Sequence, residues 1–144
     1  THIFLQAGVG GLAASFAAYC RKKLGYFPII IIVEPSYAPC LQKSIEMEKP
    51  ISVNGPASTM GRLDCKYPSR QAFYSLSKTA NAFVSITENE SLKGTKFLAK
   101  RGINISQSSS AGFVALKKLL QRGEFLLDNR ARVLCVFSEG TIKQ

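Results

Sequence analysis

The sequence predicts an α/β fold, a three-layer arrangement with a mostly parallel sheet covered by helices on both faces. Three observations predict it. Strand-length apolar runs alternate with helix-length segments along the whole chain. Most strands give way to the next helix through a short turn, which is the spacing of βα units and not of hairpins. The run from Ile29 to Val33 is β-branched at every position, the pattern of a strand buried on both faces.

The elements follow in order. His2–Gln6 reads as a strand, and Gly8, Gly10 and Gly11 form a turn that opens a helix. That helix, Leu12 to Leu24, is rich in alanine. Its bases Arg21, Lys22 and Lys23 fall in the last turn, where they oppose the negative end of the helix dipole, and Gly25 stops it. The second strand spans Pro28 to Val33 and is ended by Glu34, Pro35 and Ser36; a short helix, Pro39 to Met47, comes next. Residues 49–67, with Pro50, Gly55, Pro56 and Gly61, make the longest loop, and long loops in compact domains are often functional. Ser69 caps a helix over 70–80. Phe83–Ile86 is a strand, and 88–101 a helix interrupted near Gly94 and ended at Gly102. Ile103–Ser106 is a further strand. Residues 107–110 form a serine turn leading into a helix from Ala111 to Gln121. Asp128 and Asn129 mark a turn, and Ala131–Phe137 is the last buried strand, delivering Ser138, Glu139 and Gly140.

Composition narrows the class. A chain of 144 residues that is 46% hydrophobic makes one domain with a real core and excludes disorder. No apolar run approaches the roughly 18 residues of a membrane span. The four cysteines lack CxxC spacing and read as reduced thiols of a cytoplasmic protein. The single histidine, His2, excludes HExxH zinc sites, and no metal site is expected. The net charge of +10 is spread in twos and threes without interleaved aromatics, so a solvated basic surface is expected and specific nucleic-acid binding is not. Ser75 and Lys78 fit S-x-x-K, but lie inside a predicted helix without partner motifs and are set aside. The chain opens on Thr1 directly before a strand, and is expected to be a piece of a longer protein.

In parallel sheets ligands bind at the carboxyl ends of the strands. The sharpest feature there is the glycine loop. Gly8, Gly10 and Gly11 remove side chains where strand meets helix, so that backbone N–H groups and the helix dipole converge on an anion, and a phosphate is the natural guest. The residues alone leave its owner open. Gly8-x-Gly10-x-x-Ala13 fits the dinucleotide fingerprint, and Glu34, 21 positions past Ala13, is placed to hold a ribose hydroxyl, which favours an NAD-binding domain of an oxidoreductase. Ser138, at the end of a strand and close to Gly140, is a second candidate ligand contact.

Together these residues resemble the diaminopropionate ammonia-lyase family, pyridoxal phosphate (PLP) enzymes of the tryptophan synthase β-like fold, or fold type II. The matching stretches are THIFLQAGVG (Thr1–Gly10), VEP (Val33–Pro35), Pro68–Ser69, AFVSI (Ala82–Ile86), GINIS (Gly102–Ser106), LDNRARV (Leu127–Val133) and SEGT (Ser138–Thr141). The resemblance implies that 1–144 is a single α/β domain belonging to the large domain of such an enzyme, acting on an amino-acid substrate as a cytoplasmic homodimer. It implies pyridoxal 5'-phosphate as cofactor, with its phosphate on Gly8, Val9, Gly10, Gly11 and Leu12 and Ser138 near the pyridine nitrogen. The implied reaction is β-elimination from 2,3-diaminopropionate to pyruvate and ammonia, a step of amino-acid catabolism. The family's Schiff-base lysine and acidic base both precede the region covered, so no catalytic residue is assigned. Two loops depart from the family. Gln107, Ser108 and Ser110 replace glycine, glutamate and glycine, and Lys66 and Tyr67 replace a glycine and an acid. These departures keep a third reading open, a non-catalytic module derived from the PLP fold.

Overall fold

Alternation along the strands builds the core. In β1 (His2–Gln6) and β2 (Ile29–Pro35) the register pairs Ile3 with Ile30 and Phe4 with Ile31. Ile3, Leu5, Ile30 and Ile32 therefore face one layer and Phe4, Ile31 and Val33 the other. All of these are buried, which is why the two strands read as continuous apolar runs. The computed structural model describes residues 1–141.

The first layer holds α1 (Gly11–Leu24), α2 (Cys40–Glu46) and α3 (Arg70–Thr79). Ala13, Ala14 and Ala17 of α1 let it lie close on the sheet, and Leu41, Phe73 and Leu76 complete that core. The second layer holds α4 (Glu88–Ala99) and α5 (Gln107–Arg122), whose Ala111, Val114, Ala115 and Leu119 meet Phe4, Ile31 and Val33. With β3 (Ala82–Ile86) and β4 (Val133–Cys135) the sheet order is β3-β2-β1-β4, all parallel. This is the expected three-layer α/β fold. The chain runs β1, β2, β3 outward to one side, then returns to place β4 on the other side of β1. The order reverses between β1 and β4, and their carboxyl ends flank the crevice where ligands bind in such sheets.

Five local expectations are corrected. The helix 88–99 runs through Gly94 without a break. A Cβ there would run into Val114, so the glycine lets α4 approach α5 closely. Ile103–Ser106 is no strand: Ile105 makes one antiparallel bridge to Gly140, and Ser106 is the N-cap of α5, accepting from Ser109 N at 3.0 Å. The serine turn is thus the first turn of α5. The last strand has three residues, Val133 to Cys135, and is a half-exposed edge because none of the described residues pairs with its outer side. β2 continues through Glu34 to Pro35 instead of ending at Val33.

Candidate functional site

The three glycines after β1 serve different ends. Gly8 lies under the 60–65 segment, where a Cβ would come within 2.9 Å of the Arg62 carbonyl and the Cys65 sulfur. Gly10 is the N-cap of α1 with φ 97°, a conformation that favours glycine, and a Cβ there would meet Ala72 at 2.8 Å. Gly11 has nothing within 4 Å of the place its Cβ would take. The loop is held from outside: Ser69 N donates to Val9 O at 2.9 Å, and Cys40 Sγ lies 3.7 Å from Gly8 O.

The first amide of α1 with a helical acceptor is that of Ala14, on Gly10 O at 2.8 Å. The amides of Gly11, Leu12 and Ala13 have no acceptor among the described residues. No side chain caps this 14-residue helix, and no acid stands in its first turn. The result is an open helix N-terminus with its positive dipole end bare.

Ser138 comes to the same place from the other side of the reversal. Gln6, at the end of β1, donates through Nε2 to Val136 O and to Ser138 Oγ, each at 3.0 Å. Glu139 N donates to Ser109 Oγ at 3.2 Å, and Ser106 Oγ donates to Glu139 Oε1 at 2.5 Å, so the N-terminal turn of α5 fixes the segment after β4. Gly8, Val9, Gly10, Gly11, Leu12 and Ser138 all line one cavity of about 390 Å³, together with Gln6, Arg62, Cys65, Ser108 and Glu139. Among the described residues its charged side chains are Arg62 and Glu139, paired at 3.4 Å. Burial pushes the Cys65 thiol up, offset in part by the Val9 amide beside the sulfur, so Cys65 is a thiol and not a nucleophilic thiolate. No lysine lines the cavity among the described residues.

Gln6, Arg62 and Cys65 line the cavity beyond the residues that the sequence singles out. Gln6 did stand in the QAGVG stretch; nothing local marks Arg62 or Cys65, which the long loop folds over Gly8. Other candidates lie elsewhere. His2 is buried at the amino end of β1, with Nε2 2.7 Å from Phe125 O. Ser75 and Lys78 lie on α3 away from the cavity. Lys66, in one of the departing loops, is held by Asp64 at 2.6 Å and by the Tyr37 and Pro56 carbonyls, a tie within the 37–66 region.

Glu34 decides between the nucleotide and the PLP readings of the glycine loop. Its carboxylate is 1% exposed and accepts from Leu41 N at 2.8 Å and Gln42 N at 2.7 Å, capping α2. Buried in this way, neither oxygen is within reach of a ribose. The family comparison points the same way: residues 1–139 match the model of the pyridoxal-phosphate dependent enzymes. The chain belongs to that family. Pyridoxal phosphate is the family's cofactor. A bare helix N-terminus beside a neutral serine, in a cavity of this size, fits its phosphate and ring.

Within the family the chain is similar to diaminopropionate ammonia-lyase of Salmonella typhimurium, 31% identical over 97% of this chain and 39% of that protein. It is 32% identical to the Escherichia coli enzyme over 68% of this chain and 25% of that one. The chain thus spans well under half the length of these relatives. A solved structure of the Escherichia coli enzyme, in complex with an aminoacrylate-PLP azomethine reaction intermediate, superposes with a TM-score of 0.83. It is 25% identical and covers 97% of this chain and 39% of that one. Maize serine racemase, 13% identical, shares the fold with a TM-score of 0.89 over 99% of this chain and 43% of its own. The fold is that of the fold type II PLP enzymes. None of the helices described is long and apolar enough to cross a membrane, and no cluster of potential metal ligands occurs among the described residues.

Proposed function

We propose that this chain carries the cofactor-phosphate site of a PLP-dependent ammonia-lyase. The substrate class is 2,3-diaminopropionate or a similar amino acid, and the products are pyruvate and ammonia. The observation that carries the reading is the meeting of the uncapped glycine loop with Ser138 in one cavity at the reversal of strand order. The names of the relatives supply the substrate class.

Gly8, Val9, Gly10, Gly11 and Leu12 form the cup, in which the free amides of Gly11 and Leu12 would hold the phosphate. Ser138 would meet the pyridine nitrogen. Pyridoxal phosphate, when bound, supplies the electron sink for loss of a β-amino group. A neutral hydroxyl does not enforce a charged ring as a carboxylate does, which moderates that sink and suits elimination. Arg62 and Glu139 stand at the cavity wall and neutralise one another, leaving the helix dipole as the uncompensated positive field. The 144 residues act as one α/β domain within a longer, cytoplasmic, homodimeric enzyme of amino-acid catabolism. The free cysteines support the compartment.

A second reading, a non-catalytic PLP-binding module, is favoured by Ser108 standing in the cavity lining where the resemblance places an acid. One experiment addresses both. The protein is purified from its own cells and assayed for pyruvate release from 2,3-diaminopropionate, with bound PLP measured in the same sample. PLP with pyruvate release supports the lyase. PLP without turnover of any amino acid supports the module and overturns the lyase.

A further inference from the structure

We infer that Gln6 is a positioning residue that fixes Ser138 as a hydrogen-bond donor toward the cavity. The inference rests on the proposed placement of Ser138 at the ring nitrogen. Gln6 is 4% exposed, and its amide Nε2 lies 3.0 Å from both Val136 O and Ser138 Oγ. A backbone carbonyl only accepts, so the group facing Val136 O is the NH₂ and the amide cannot be flipped. Both amide hydrogens are then used, one on the carbonyl and one on the serine oxygen. The Ser138 proton has no place to go on Gln6, and no acceptor takes it among the described residues. It points into the cavity.

The other end of the amide supports this orientation. Gln6 Oε1 is buried with no partner. An orphaned acceptor is unfavourable, yet turning it round would set it against the Val136 carbonyl, which is worse. The side chain is therefore held by its two donor bonds alone. A serine that receives a hydrogen bond from behind and donates forward selects a ligand atom with a lone pair. For a pyridine ring that is the unprotonated nitrogen. Ser138 without Gln6 would be free to rotate and accept from a protonated ring.

The test uses PLP labelled with ¹⁵N in the ring and the 144-residue chain, with ³¹P resonance reporting the phosphate and ¹⁵N reporting the ring. In the wild type the phosphorus signal should shift on binding while the nitrogen stays at its unprotonated position through neutral pH. Gln6→Met should keep the phosphorus shift and raise the apparent pKa of the ring nitrogen by about one unit, a tenfold gain in proton affinity. Ser138→Ala should raise it by a similar amount. The double variant should go no further than Ser138→Ala, because Gln6 acts through the serine. Additive shifts, or a Gln6→Met nitrogen that titrates as in the wild type, would overturn the inference while leaving the phosphate cup intact. Where Gln6→Met does not fold, Ser138→Ala still decides, since an unmoved nitrogen in that variant removes the donor. No phosphorus response in the wild type would overturn the cup reading itself. Ligand-free crystal structures then decide the inference: a rotated Ser138 side chain in Gln6→Met supports it and an unmoved one overturns it.

Discussion

Gly11→Asp should move stability and anion binding in opposite directions. Gly11 is the first residue of α1, has open space where a Cβ would go, and begins a turn with no acid and no side-chain cap. An aspartate there meets the positive end of the dipole and should stabilise the helix by roughly 0.3–1 kcal/mol. Replacing glycine inside the helix adds up to about 0.5 kcal/mol. The melting temperature should therefore rise by about 2–4 °C. The same carboxylate stands where the free amides would hold a phosphate. Two unit charges about 5 Å apart at an effective dielectric of roughly 20 repel by about 3 kcal/mol. Exposure at the cavity mouth screens part of this, which leaves a loss in affinity on the order of 10- to 100-fold. Gly11→Asn keeps the shape and the capping group without the charge, and should weaken binding far less. Calorimetric titration of PLP and of inorganic phosphate, beside a melting curve for each variant, measures both effects. A Gly11→Asp protein that melts higher and binds PLP as tightly as the wild type would refute the phosphate cup. The neighbouring Gly10 is a poor place for this test, because its positive φ and the contact at 2.8 Å would mix misfolding with lost binding.

The remaining predictions concern the interior and the cavity wall. Gly94→Ala should separate α4 from α5 at Val114 and cost about 1–3 kcal/mol, read as a lower urea midpoint; an unchanged midpoint would deny the close approach. Burial raises Glu34 to about 7, against the pull of the Leu41 and Gln42 amides. Between pH 4.5 and 7 the folded state therefore holds a proton that the unfolded state has lost, so this group's contribution is full below the lower value and is lost as pH rises through about 7. The loss should be roughly 3 kcal/mol across that window in the wild type relative to Glu34→Gln, measured as urea midpoints against pH; parallel profiles would contradict it. Reduction of the PLP-loaded 144-residue chain with borohydride should label no single lysine stoichiometrically, since none of the described lysines lines the cavity; one fully labelled lysine on peptide mapping would show otherwise.

Much of the architecture was legible because it rests on local pattern. Ile29 to Val33 has no polar position to turn outward, so it is buried on both faces and its parallel neighbours follow. Arg21, Lys22, Lys23 and Gly25 end α1, and Ser69 caps α3, as nearest-neighbour chemistry requires. What failed depends on contacts between distant residues. Gly94 looks like a helix breaker until Val114 is placed against it. Ile103 and Ile105 look like a strand, but the chain there descends to cap α5, and only Ile105 meets Gly140. Ala131–Phe137 looks buried by composition, yet burial needs a neighbour on each side and β4 has one among the described residues.

The candidate site divides along the same line. A glycine loop after a strand is readable as an anion cup and Ser138 as a ligand contact at a strand end, while only the resemblance assigns Ser138 to a pyridine ring. Which acid belongs to the loop was misjudged in the nucleotide reading, although the answer was local: Glu34 precedes the amides it caps by seven and eight residues. A carboxylate that close to a helix start is as good a cap as a ribose ligand, and only burial tells the two apart. The three glycines make the sharper point. A motif treats Gly8, Gly10 and Gly11 as one feature, but packing demands the first, backbone conformation and packing demand the second, and neither demands the third. The fold alone would accept a side chain at Gly11. Its lack of one is the part of the loop that folding does not explain, and an anion drawn close to the bare start of α1 does.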